Sequence, residues 1–179
     1  MKKLFMILPL ALILCFMVGC QDKEAMAELE EFKAQAALEE QNKALISNYL
    51  KEIDNKNFEI LNEVYAPDAK MYLPSNSSEP MSVEQSIPSL KSFYDAFPDF
   101  SHSIEELIAV GDKVILRAVD RGTHQGELNG IPATGKKIEF SVIAIFYFED
   151  GKIVEVREDV DFLGMYQQLG MELKPKEEK

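Results

Sequence analysis

Cysteine is almost missing from this chain. Its 179 residues include two, Cys15 and Cys20, both close to the start. If that segment is cleaved before Cys20 and the Cys20 thiol is acylated, no free thiol is left for a disulfide, a nucleophile or a metal site. Stability must then come from a core, and about 130 residues can build one. Histidine is equally scarce. His102 and His124 lie 22 residues apart, which is no ligand spacing, so neither a structural nor a catalytic zinc is expected. Basic residues are too few: 19 Lys and Arg stand against 31 Asp and Glu, a net charge of −12. A surface of that sign repels nucleic acid and anionic headgroups. Nucleic-acid binding is excluded. Internal repeats and low-complexity tracts are also absent.

What is present begins with a targeting pattern. Lys2 and Lys3 precede an apolar stretch from Leu4 to Val18, which Gly19-Cys20 closes. That stretch falls short of the ~20 residues a spanning helix needs, so a signal peptide over 1–19 is the expectation. "MVGC" (17–20) resembles a bacterial lipobox, with Met17 where leucine is more usual. The resemblance implies lipidation of Cys20 and an extracytoplasmic domain anchored to a bacterial membrane through two or more acyl chains. An ordinary secretory signal with a stray cysteine is the alternative. Loss of Lys2 and Lys3 would leave 17 basic against 31 acidic residues, a net charge of −14.

Residues 20–38 lack Gly and Pro and are rich in Ala, Glu, Gln and Lys, which predicts a helical spacer with a thin stripe of Met26, Leu29 and Phe32. The domain proper is expected over 39–172, with a charged tail at 173–179. Leu45, Ile46, Tyr49, Leu50 and Ile53 form a helical stripe ending in "DNKN". A short helix with Phe58, Leu61 and Val64, a strand at 69–74 and a helix capped by Ser82 and Gln85 follow. Strands are predicted at 101–110, 113–124, 136–149 and 152–161, then a last amphipathic helix in "DFLGMYQQLGM". Helices first and an antiparallel meander afterwards make an α+β domain. The strand at 136–149 is apolar on both alternating faces, which predicts burial on both sides.

"FPD" (97–99), "GTHQGEL-NGIPATGK" (122–136), "FEDGKIVE" (148–155) and "D-x-LG-xx-QQLG" (161–170) together resemble the SnoaL-like polyketide cyclase or ester cyclase group of the NTF2-like superfamily, over roughly 40–170. The resemblance implies a cone of curved antiparallel sheet around an N-terminal helix, with a pocket between sheet and helices. It also implies cofactor-free ring closure by intramolecular aldol chemistry on a small hydrophobic or amphipathic carbonyl compound. It assigns the acid/base role to Asp161 and a polarising role to His124. A homodimer through the sheet is a further expectation. Such folds also host pocket binders without activity, so a non-catalytic ligand-binding or dimerisation module is the alternative.

The residues themselves leave choices. Asp161 before "FLGMYQQL" also suits a helix N-cap. His124 also suits a hydrogen-bonded turn, and His102 reads as a surface or sheet residue. Arg157 stands where relatives often carry Trp, Asp159 where they are usually apolar, and Ala144 where they are often acidic. An unbroken strand at 152–161 would place Arg157, Asp159 and Asp161 on one face. Arg157 and Asp159 are therefore expected to line the pocket, with Arg157 suited to an anionic group.

Overall fold

A computed structural model describes residues 7–172 and 174, with side chains from residue 23 onward. The expected signal peptide, lipidation of Cys20 and most of the charged tail lie outside the described side chains. The chain divides into two compact units, Met1–Leu38 and Glu39–Lys179. Among the described residues no helix is long and apolar enough to cross a membrane.

A single helix, α1 (Ile7–Asp54), covers both the expected spacer and the first helix of the domain. Its last part sends Ile46, Leu50 and Ile53 into the core, the i, i+4, i+7 stripe legible in the sequence. α2 (Ile60–Val64) is one short turn-rich helix. β1 (Tyr65–Tyr72) starts earlier than its sequence suggests. α3 (Val83–Ala96) opens on a capping box in which Ser82 and Gln85 each satisfy the other's backbone N–H. β2 (Ser101–Val110), β3 (Lys113–Thr123), β4 (Lys137–Glu149) and β5 (Lys152–Val160) follow, then α4 (Phe162–Leu169). The β4–β5 turn is built by Asp150 at φ 47° and Gly151 at φ 74°, both left-handed, as a two-residue hairpin turn requires.

The sheet corrects the expected cone. Among the described residues it is one open sheet of order β1-β5-β4-β3-β2, with β1 and β2 as its outer strands, and it is mixed, because β1 runs parallel to β5. Strands β2 to β5 are antiparallel neighbours. The α+β class stands; closure into a curved antiparallel cone does not. The expected burial of β4 on both faces is also corrected. Its residues alternate strictly, with Phe140, Val142, Ala144 and Phe146 buried. Ile143, on the other face, is 51% exposed.

One irregularity decides which residues meet the core. Pairing between β4 and β5 passes from Phe148↔Ile153 to Tyr147↔Glu155, so Val154 is an extra, unpaired residue. Such a bulge reverses the side-chain alternation beyond it. Ile153 and Val156 are consequently both buried.

Candidate active site

A cavity of about 270 Å³ lies between the inner face of the sheet and the helices, within the second unit. Its walls are mainly apolar, with Leu61, Phe93, Phe140 and Phe146 among them. Besides its tyrosines, a histidine and two carboxyl groups line it: His102 from β2, Asp120 from β3 and Glu158 from β5. This is somewhat below the usual range of roughly 300–1,000 Å³ for small-molecule sites. It suits a compact ring system.

The polar groups form a chain. Asp54, the last residue of α1, is a carboxylate at the unfavourable negative end of a helix dipole. Donors compensate: Tyr94 Oη lies 3.1 Å from its Oδ1, and the His102 backbone N–H donates to its Oδ2 at 3.1 Å. His102 Nδ1 sits 2.6 Å from the same Oδ1. Because a carboxylate only accepts, Nδ1 carries a proton and the imidazole is oriented. Nε2 then faces Asp120 Oδ2 at 3.7 Å, an ion-pair distance too long for a hydrogen bond. Asp120 is 4% exposed, and its other oxygen, Oδ1, has no hydrogen-bond partner.

Burial raises the Asp120 carboxyl to about 6, against the lowering pull of His102 and with a further push from Asp54. Burial likewise raises Glu158 to about 7, helped by the charge of Asp120 and opposed by His102. Glu158 keeps part of its surface exposed, which fits a side chain looking into a cavity. For His102, burial favours the neutral ring, but the Asp54 hydrogen bond and the charges of Asp120, Asp54 and Glu158 more than offset it and raise its pKa. Burial also raises Tyr49, Tyr65 and Tyr94, which stay neutral.

The residues singled out from the sequence lie elsewhere. Asp161 is exposed and caps α4, accepting the Gly164 N–H at 2.8 Å. It does not line the cavity, because the strand has ended and the carboxylate has turned back onto its own helix. His124 is fully buried, stacked on Phe97 with ring centroids 5.1 Å apart. Its Nδ1 accepts the Thr134 N–H at 3.3 Å, with Thr134 Oγ1 3.1 Å away. His124 too is absent from the cavity wall.

Arg157 and Asp159 face the opposite side of β5 from Val156, Glu158 and Val160, the residues that line the cavity. Arg157 donates to Glu155 Oε1 at 2.6 Å and to the Ser75 carbonyl at 3.0 Å, lying over the Tyr72 ring. Asp159 accepts from the Ser75 N–H and hydroxyl at 3.1 and 2.5 Å. Both pin the loop after β1, and neither meets Asp161. Arg157 and Asp159 do share a face, but the bulge at Val154 turns that face away from the cavity, and Asp161 has left the strand to cap α4. An unbroken alternation from Ile153 reaches Glu155, Arg157 and Asp159; the real one reaches Val156, Glu158 and Val160.

The sequence carried a signal for Asp120. Val114, Leu116, Ala118 and Asp120 alternate along β3, and all four are buried. A period of two therefore puts Asp120 on the core face. His102 had no such signal, because its value depends on Asp54, 48 residues earlier. Among the described residues no group of three or more His, Cys, Asp or Glu has the arrangement of a metal site.

Comparison with known proteins agrees with this architecture. A family model described as SnoaL-like polyketide cyclase matches residues 43–169. The aklanonic acid methyl ester cyclase DnrD of Streptomyces peucetius is 45% identical over 49 residues, 27% of this chain and 34% of that protein. The cyclase AcmA of Streptomyces galilaeus is 41% identical over 59 residues, 33% of this chain and 41% of that one. The matched stretches thus span about a third of these curated relatives. Among solved structures, IdmH of Streptomyces antibioticus, described as a putative polyketide cyclase, is 28% identical with a TM-score of 0.65, covering 73% of this chain and 99% of that one.

Proposed function

The chain belongs to the SnoaL-like polyketide cyclase family, and from that premise we propose that its cavity closes a ring in a small, largely apolar carbonyl compound without a cofactor. The reaction class is an intramolecular aldol addition, an isomerisation. It needs a group that can exchange a proton with carbon or with a developing alkoxide near neutral pH. The observation that carries the reading is Glu158, whose carboxyl faces the apolar cavity and is raised to about 7. A carboxyl at that value can both hold and release a proton at working pH. The cavity wall offers no Lys or Arg, so the reading favours an uncharged ester or ketone over an anion.

The test is turnover of aklanonic acid methyl ester and related polyketide esters by the purified protein, followed by absorbance and product NMR. Glu158→Gln is expected to reduce kcat by about 10²-fold or more, the usual contribution of a general acid or base. Equal turnover in both proteins would sink the reading. The mainly apolar walls also favour a second reading, a non-catalytic binding module. It predicts saturable binding of the ester by wild type and Glu158→Gln alike, with no product from either.

The membrane tether at Cys20 is part of the same proposal and rests on the sequence alone, on Lys2, Lys3, the apolar stretch at 4–18 and "MVGC".

A further inference from the structure

The cavity holds a second carboxyl that no sequence motif singled out, and its surroundings differ from those of Glu158. We propose that Asp120 is the base of this site, held as a carboxylate by a His102–Asp54 pair, while Glu158 is the acid. The assignment rests on the ring-closing reading above and divides its acid/base work between two residues.

The geometry carries it. Asp120 is 4% exposed, and its Oδ1 is a buried acceptor without a partner. A buried acceptor without a partner is unfavourable until something occupies it, and Asp120 is part of the wall of the cavity where a substrate would sit. The other oxygen, Oδ2, faces His102 Nε2 at 3.7 Å, and His102 is anchored through Nδ1 on Asp54 at 2.6 Å. An imidazole whose pKa Asp54 and Asp120 raise thus stands behind Asp120. No Lys or Arg lines the cavity beside Glu158, and Arg157 points the other way onto Glu155 and Ser75.

The groups facing the pair come from every element around it. Asp120 meets His102 of β2, Asp54 of α1 and Tyr94 of α3, beside Arg121 of its own strand. Its β4 partner, Phe140, brings no charge. Glu158 senses Asp120, His102 and Asp159, and it acts on Tyr49 and Tyr65. Two like charges in one apolar space resist joint ionisation, so one carboxyl keeps its proton. His102 selects Asp120 as the one that loses it.

The step then balances. Asp120 Oδ1 takes a proton from a carbon next to a carbonyl, and the C–H electron pair becomes an enolate. The enolate carbon bonds to a second carbonyl carbon of the same molecule. The π pair of that carbonyl becomes an alkoxide, which takes the proton of Glu158. The product is an isomer, and return of one proton from Asp120 to Glu158 resets the pair.

The test is carboxyl-carbon NMR titration of the full chain with Asp120→Asn, Glu158→Gln and His102→Gln, alongside pH–rate profiles for aklanonic acid methyl ester. Asp120 should ionise below Glu158, giving a narrow optimum between about 6 and about 7. Asp120→Asn should lower the midpoint of Glu158 by removing a negative neighbour. Glu158→Gln should leave Asp120 in place, because Glu158 is still neutral when Asp120 titrates. His102→Gln should raise the midpoint of Asp120 and move the acid limb to higher pH, which a merely structural residue would not do. In a variant that retains the wild-type thermal transition, Asp120→Asn should lower kcat/KM by about 10²-fold or more. Glu158 ionising first, or full turnover by folded Asp120→Asn, overturns the assignment and leaves the ring-closing reading standing. Absence of turnover in the wild type overturns that reading instead, while the titration order still decides how the two carboxyls share their proton.

Discussion

Asp120, Glu158 and His102 each hold a proton more tightly in the folded chain than free in water. Below the ordinary carboxyl pKa all three are protonated both folded and unfolded, and they set no penalty. As pH rises, the unfolded chain releases these protons first, so stability is lost as pH climbs through 6 and 7. For Glu158, raised from 4.5 to about 7, the loss is on the order of 3 kcal/mol. The thermal midpoint should therefore fall between pH 5 and pH 8, and Glu158→Gln should flatten that fall. Parallel curves for the two proteins would mean that burial does not raise Glu158. A site poised for proton transfer is here also a stability cost, as strained functional positions tend to be.

At the scale of elements, the most recognisable motifs hold loops rather than substrate. In "FPD", Asp99 accepts the Thr123 N–H and hydroxyl at 2.6 and 2.7 Å, tying the start of β2 to the end of β3. In "GTHQG", the N–H groups of Gln125 and Gly126 both donate to the Ala96 carbonyl at the end of α3. A Cβ on Gly126 would sit 2.5 Å from the Asp95 carbonyl oxygen, so only glycine fits. Asp161 belongs with these residues as the N-cap of α4. Asp161→Ala should lower stability by about 1 kcal/mol and Asp161→Asn should restore most of it, since asparagine caps equally well. Thermal denaturation checks this; a loss that asparagine fails to rescue would mean that the carboxylate does more than cap. Most strand and helix spans were legible because alternation, turn pairs and the capping box are local, although β1 begins four residues before its expected start. The bulge at Val154 was not, because "KIVEVREDV" carries no turn residue to mark it. It arises from how β5 pairs with β4.

For the whole molecule, the first unit and the domain invite separate experiments. If Cys20 is lipidated, a bacterial host fed a labelled fatty acid should label the protein and retain it in the membrane fraction. Cys20→Ser should abolish both, while an unlabelled, released wild type would mean an ordinary secretory signal. The sequence by itself determined the net acidic charge, the scarcity of cysteine, the α+β class and the order of elements, all of which follow from composition and short-range periodicity. The alternation of Val114, Leu116 and Ala118 also held a signal for Asp120 on the core face, although nothing in the strand said why a carboxylate belongs there. Tertiary structure decided that the sheet stays open with β1 parallel to β5. It also decided that Glu158 rather than Arg157 meets the cavity, and that His102 joins Asp54 to Asp120. These depend on register and on contacts between residues far apart in the chain, and a pattern read along one strand contains neither.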